Sequence, residues 1–252
     1  MSETEKPLVY FVLGAAGSGR REVLADLIAS GLPADAGAQV LLAATEAAAE
    51  ADEQLPVIGR WTLEDEQITT EATPGEGPLF ILSDGRGNPV DQLEALKPWL
   101  EREGRELARI ICVVNCQLVE AHPTLLAWFD ACIHFSDVVL LARREGVDNK
   151  WLSDFQTRYR DQFMPAVFEM VKHGRVKNPA LVLEPQPRRL SHYFDEDEDW
   201  LIDGLAEEDD MEIEEGTEEV EVTKQEDPYF ERRIGGRREK EIPKIAEFLD
   251  RV

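Results

Sequence analysis

Gly14 and Gly19 are separated by four residues, with Gly17 between them and two guanidinium groups, Arg20 and Arg21, directly behind. Glycines at this spacing let backbone N–H groups turn inward and ring a phosphate, and a helix N-terminus behind them adds a favourable field. In loops that transfer phosphoryl groups, the next residue is Lys, a compact cation for the β- and γ-phosphates. The one after it is Ser or Thr, whose hydroxyl ligates Mg²⁺. Arg20 keeps the charge in a longer, planar, forked form that sits differently. Arg21 has no acceptor and repels a metal ion. Ser18 offers a hydroxyl, but out of frame. The same glycines also serve simply to turn the chain between a strand and a helix.

The surrounding pattern supplies that strand and helix. Residues 8–13, LVYFVL, are continuously apolar and rich in β-formers, as in a strand buried on both faces. Val23, Leu24, Leu27 and Ile28 fall on one helical face, and Gly31 stands where the helix ends. Further strands are expected over 38–45, 78–85, 107–115 and 136–145. A strand or hairpin near an edge is expected over 60–75, and a last short strand over 179–185. Helical patterns cover 90–104, where Pro98 marks a kink or break, 118–132 and 148–163. Strands alternating with helices predict an α/β fold: three layers, a mostly parallel sheet covered on both faces, and a P-loop NTPase-like body over 1–190.

The net charge is −25, and it is unevenly spread. Residues 191–221 hold 16 acidic side chains and no Lys or Arg. Low hydrophobicity and high charge predict a largely disordered acidic linker or tail there. Residues 222–252 mix both signs and carry Ile242, Ile245, Phe248 and Leu249, the pattern of a docking segment or short helix. The acidity disfavours nucleic-acid binding over most of the surface. No run of residues is long and apolar enough for a membrane span. Three cysteines without framework spacing point to a reducing, cytoplasmic compartment. Cys112, Cys116, Cys132 and His134 invite a metal site, but no Cys-x-x-Cys pair exists and none is expected.

Taken together, these segments resemble the G3E group of P-loop GTPases, and its CobW-like members in particular, over roughly residues 8–163. In that family a strand ends in Glu-x-x-Gly-x-x-x-Pro. Here Gly85 and Pro89 keep the spacing, Leu82 stands at the Glu position, and Asp84 is an acid displaced by two residues. The family's Val-Val-Asp-Ala is matched by Val113, Val114, Asn115 and Cys116. Its guanine-reading Asn-Lys-x-Asp aligns with Ala142, Arg143, Arg144 and Glu145. The family's cysteine-rich metal motif has no counterpart between Ala44 and Gly77.

The resemblance implies a nucleotide site at Gly14, Gly17, Ser18, Gly19, Arg20, Arg21, Asp84, Gly85 and Glu145. GTP or GDP is the candidate cofactor, and the losses at 21 and 82 argue against Mg²⁺. Two functions follow. One is a pseudo-GTPase acting as a scaffold or regulatory subunit, with a protein partner on its tail or sheet edge. The other is a nucleotide binder or slow GTPase with Arg20 and Arg21 holding the phosphates. A further expectation is that Arg143 and Arg144 fill the vacated pocket by pairing with Asp84 or Glu145.

Overall fold

A computed structural model describes residues 6–195 and 226–249. Its strands are β1 (Leu8–Gly14), β2 (Gln39–Ala43), β3 (Val57–Glu64), β4 (Gln67–Thr70), β5 (Leu79–Leu82), β6 (Glu106–Asn115), β7 (Val138–Ala142), β8 (Val167–Lys172) and β9 (Arg175–Val176). Among the described residues they form one sheet in the order β4-β3-β2-β5-β1-β6-β7-β8-β9. Neighbours run parallel except in the hairpins β3–β4 and β8–β9. Every residue of β5 and β7 is buried, as continuously apolar strands between two helical layers require.

The helices are α1 (Arg20–Gly31), α2 (Pro89–Glu103), α3 (Cys116–Ala121), α4 (Leu126–His134), α5 (Asn149–Arg160), α6 (Pro179–Leu183) and α7 (Ala246–Leu249). Because β side chains alternate, β1 feeds two cores. Val9, Phe11 and Leu13 pack toward α2, α4 and α5, whereas Tyr10 and Val12 pack toward α1 and α6. Each such aliphatic or aromatic side chain contributes roughly 1.5–3 kcal/mol on burial. The expected three-layer α/β fold with a mostly parallel sheet is the one observed.

Two readings of the sequence need correction. Residues 179–183 are helical, not a strand: Pro179 sits at the first helical position and the Asn178 side chain accepts from Leu181 N at 3.4 Å. The carbonyls of α6 are taken by Arg109 and by the Tyr10 hydroxyl, the latter at 2.7 Å from Leu183 O. The last strands come instead from 167–176, where only Val171 and Val176 are buried, too sparse a pattern to stand out. Of the kink or break expected at Pro98, the break does not occur: α2 runs through it. Proline lacks the N–H that would reach Glu94 O, and the Tyr193 hydroxyl donates to that carbonyl at 3.1 Å.

The chain past the acidic run returns to the body. Tyr229, Phe230 and Ile245 are buried against α4 and its neighbours. Ser191 Oγ donates to Asp227 Oδ2 at 2.5 Å, and His134 Nε2 lies 2.8 Å from the same oxygen. Arg238 bonds Asp91 and Glu94 on α2, and Arg232 bonds Glu94 at 2.8 Å. Ile242, Phe248 and Leu249 pack on the same core, as the apolar pattern suggests. Residues 196–221, most of the acidic run, and 222–225 of the mixed-charge segment lie outside the described residues. No helix among the described residues is long and apolar enough to cross a membrane.

Candidate phosphate-loop site

The loop lies where α/β sheets place ligands, at the C-terminal end of the central strand. β1 ends at Gly14, the turn containing Gly17 and Ser18 is closed by Ser18 N donating to Ala15 O at 3.2 Å, and Gly19 caps α1 with φ 88°. Strand, glycine loop and helix are thus in the order a phosphate loop needs. The loop after β5 is stitched to it: Ala16 N donates to Gly85 O at 3.0 Å. That approach leaves no room for a side chain. A Cβ at Gly85 would collide with Ala16 N and the Arg20 guanidinium and come within 2.8 Å of the Ala15 carbonyl carbon.

Both arginines turn inward. Arg20 is 4% exposed; its Nη1 donates to Ser83 O at 2.5 Å and its Nη2 pairs with Glu46. Arg21 donates through Nη2 to the other Glu46 oxygen at 3.0 Å and to Ala47 O at 2.9 Å, while its Nη1 pairs with Asp52 at 3.0 Å. Glu46 also accepts from Gly85 N at 3.0 Å. Arg60 holds the backbone behind it, donating to Glu46 O at 3.0 Å and Ala43 O at 3.2 Å. Burial alone would push the Glu46 carboxyl up; Arg20, the Gly85 amide and Arg21 outweigh it and hold the group below its ordinary value. Two guanidiniums and two carboxylates therefore close on one another.

The remaining predicted residues lie apart from this cluster. Asp84 Oδ1 accepts from Arg86 N at 2.9 Å, and Asp84 lines a cleft of about 250 Å³ with Thr45, Trp61, Asn88 and Asp91. The acid that meets the arginines is Glu46, not Asp84. Leu82 is fully buried under α1. Glu145 lines a separate cleft of about 240 Å³ with Ser18, Gly19, Glu22, Arg143 and His173. The expected pairing of Arg143 and Arg144 with Asp84 or Glu145 does not form. Arg143 bonds Glu22 at 3.1 Å, and Arg144 donates to Val171 O at 3.0 Å. Asn115 caps α3, accepting from Leu118 N at 3.1 Å. The Ser18 hydroxyl is buried and has no hydrogen-bond partner among the described residues.

Glu46, Asp52, Ser83 and Arg60 escaped the sequence reading. The available signal was topological: Glu46 follows β2 by three residues, at the sheet end where the phosphate loop must lie. Cys112, Cys116 and Cys132 are buried, and burial pushes the Cys116 thiol up to about 12.

No family model matches the chain, and no curated protein matches it. Among solved structures it is similar to the zinc-bound YjiA GTPase from E. coli, at 14% identity over 73% of this chain and 67% of that one, with a TM-score of 0.44. A zinc-bound triple mutant of YjiA gives the same figures: 14% identity, 73% and 67% coverage and a TM-score of 0.44. The cell division protein FtsY from Thermotoga maritima is 16% identical over 73% of this chain and 69% of that one, with a TM-score of 0.41.

Proposed function

We propose that this chain is a noncatalytic, CobW-like P-loop protein that serves as a scaffold or regulatory subunit in the cytoplasm. The observation that carries this reading is the closed network of Arg20, Arg21, Glu46 and Asp52. A Mg²⁺–nucleotide does not fit the residues present. Position 21 offers a guanidinium where the metal needs a hydroxyl, and position 82 offers a buried Leu where it needs an acid. The arginines that would hold phosphates are already neutralised, and Glu46 places a negative charge where an incoming phosphate would be repelled.

Binding is then the work left to the rest of the surface. The acidic run, with 16 acids and no base over 191–221, suits a partner with a basic face, which it would steer electrostatically. The sheet edges are poorer candidates: Arg102 covers the Ile68 carbonyl of β4 at 2.7 Å, and Asp26 takes the Val176 N–H of β9 at 3.0 Å. The test is direct. Purified protein is denatured and its supernatant assayed for nucleotide, and the stripped protein is titrated with GTP, GDP and ATP with and without Mg²⁺. The expected result is no released nucleotide, no saturable binding and no turnover. Stoichiometric GDP or GTP, or hydrolysis, overturns the reading.

A further inference from the structure

Glu46 accepts from donors on two different elements. Gly85 N–H comes from the loop after β5; Arg20 and Arg21 come from the first turn of α1. These converge between the C-terminal ends of β1 and β5, beside the glycine loop. Backbone amide and paired guanidiniums together make an anion site, because each donor gains most from a negative acceptor. The anion present is a side chain of the same protein. Its backbone is fixed in turn by Arg60, so the carboxylate is delivered rather than drifting in from solvent.

We propose that the Glu46 carboxylate is a built-in ligand that fills the terminal-phosphate end of the loop and holds the Gly85 loop and α2 in their anion-bound arrangement. The coupling is continuous. Gln92 of α2 accepts from Asp84 N at 2.7 Å and donates to Asp84 O at 3.1 Å, so the loop and the helix move together. One residue before Gln92, Asp91 bonds Arg238 at 2.7 Å, and Glu94 bonds Arg232 at 2.8 Å. The C-terminal segment 226–249 is therefore clamped to the helix that Glu46 positions. A signal that other phosphate loops take from a bound nucleotide is here written permanently into the chain. This inference rests on the noncatalytic reading above.

The test uses the full-length wild type, Glu46→Ala and Glu46→Gln, titrated calorimetrically with inorganic pyrophosphate without metal. Amide exchange is followed over 83–94 and 226–249. Wild type is expected to show no saturable binding. Glu46→Ala removes the acceptor shared by the Gly85 amide, Arg20 and Arg21 and should show saturable pyrophosphate binding, at least about ten-fold tighter than the weakest binding the titration can detect. Its exchange should rise at Gly85, in the first turns of α2 and in the C-terminal segment, and added pyrophosphate should reverse the rise. If Glu46→Ala fails to fold, Glu46→Gln, near-isosteric and uncharged, carries the same test with a smaller gain.

A folded Glu46 variant with no gain in pyrophosphate affinity, beside an inert wild type, overturns this inference and leaves the noncatalytic reading standing. Exchange changes confined to residues 44–54 likewise overturn the coupling to α2. Nucleotide binding or turnover by the wild type is a different failure and defeats the noncatalytic reading itself.

Discussion

The two ends of the candidate site differ in how their charges are placed. At the phosphate end, Arg20 and Glu46 have side chains only 4% and 8% exposed, and their charges are matched within the fold. At the other end, around the loop after β7, Arg143 and Glu22 meet in solvent at 44% and 48% exposure, beside an open cleft. Only at the phosphate end are the charged groups closed on one another inside the fold. Vacant charge explains the difference. A pair of buried guanidiniums without an anion is costly, whereas the loss of neutral or exposed groups at a cleft rim costs almost nothing. The comparison therefore predicts a steep gradient of mutational effects from one end to the other.

The largest effect should come from Glu46. Glu46→Ala leaves buried Arg20 without a carboxylate and Arg21 with Asp52 alone, and is expected to cost about 3 kcal/mol or more at neutral pH, measured by urea unfolding. The sign of the pH dependence follows from the lowered carboxyl. A depressed folded-state value contributes stability that is fully present above the ordinary value of 4.5 and is lost as pH falls through the folded value. The gap between wild type and variant should therefore narrow on acidification below that point. Asp227, also held below its ordinary value despite burial, by His134, Ser191 and the Tyr229 amide, adds an acid-labile contribution that both proteins share. A gap that stays constant with pH would mean that Glu46 acts by packing alone. Next in size is Gly85→Ala, which forces the β5 loop off the phosphate loop and is expected to cost roughly 2–3 kcal/mol by the same measurement. A loss below about 0.5 kcal/mol, the level of ordinary surface changes, would mean that the two loops are not tightly joined.

This gradient also separates what could be read in the sequence from what could not. The glycine spacing, the continuously apolar β1 and the helix after it are local patterns, and they were legible because periodicity and turn chemistry act over a few residues. The β3–β4 hairpin near the edge and the apolar pattern of Ile242, Ile245, Phe248 and Leu249 were legible for the same reason. Closure of the site was not. Arg20 and Glu46 are 26 residues apart in sequence, and their meeting depends on β2 lying beside β5, which lies beside β1. Asp84 is close in sequence to Gly85 and Pro89, whereas Glu46 is close to the phosphate loop only in space. The strand and helix errors over 167–183 have a related cause. Val171 and Val176 make too weak an apolar signal alone, and Pro179 with its Asn178 cap outweighs the β-propensity of a five-residue apolar run.

Gly19 stands on the boundary between the two ends and tests how far strain rather than charge maintains the loop. Its φ of 88° is left-handed, and the nearest atoms a Cβ there would meet are those of the Arg143 guanidinium, at an ordinary 3.5 Å. Gly19→Ala should therefore cost about 1 kcal/mol, from backbone strain alone. A loss approaching that of Gly85→Ala would show that the loop is as tightly walled toward the cleft as toward β5, and the contrast between the ends would weaken. Arg143→Ala, at the open end, should have the smallest effect. Its ion pair with Glu22 is solvent-exposed on both sides, and such pairs contribute at most about 1 kcal/mol, commonly less. Arg143 itself has a left-handed φ of 50°, a cost that Ala at the same position shares, so the substitution neither relieves nor adds backbone strain. The expected change in unfolding free energy is within about 0.5 kcal/mol. It should vanish at high salt, because screening removes an exposed pair far more readily than a buried one. The Glu46→Ala loss should persist in the same buffer. Equal salt sensitivity at both positions would mean that the phosphate end is as open to water as the cleft, and that its charges are not closed on one another.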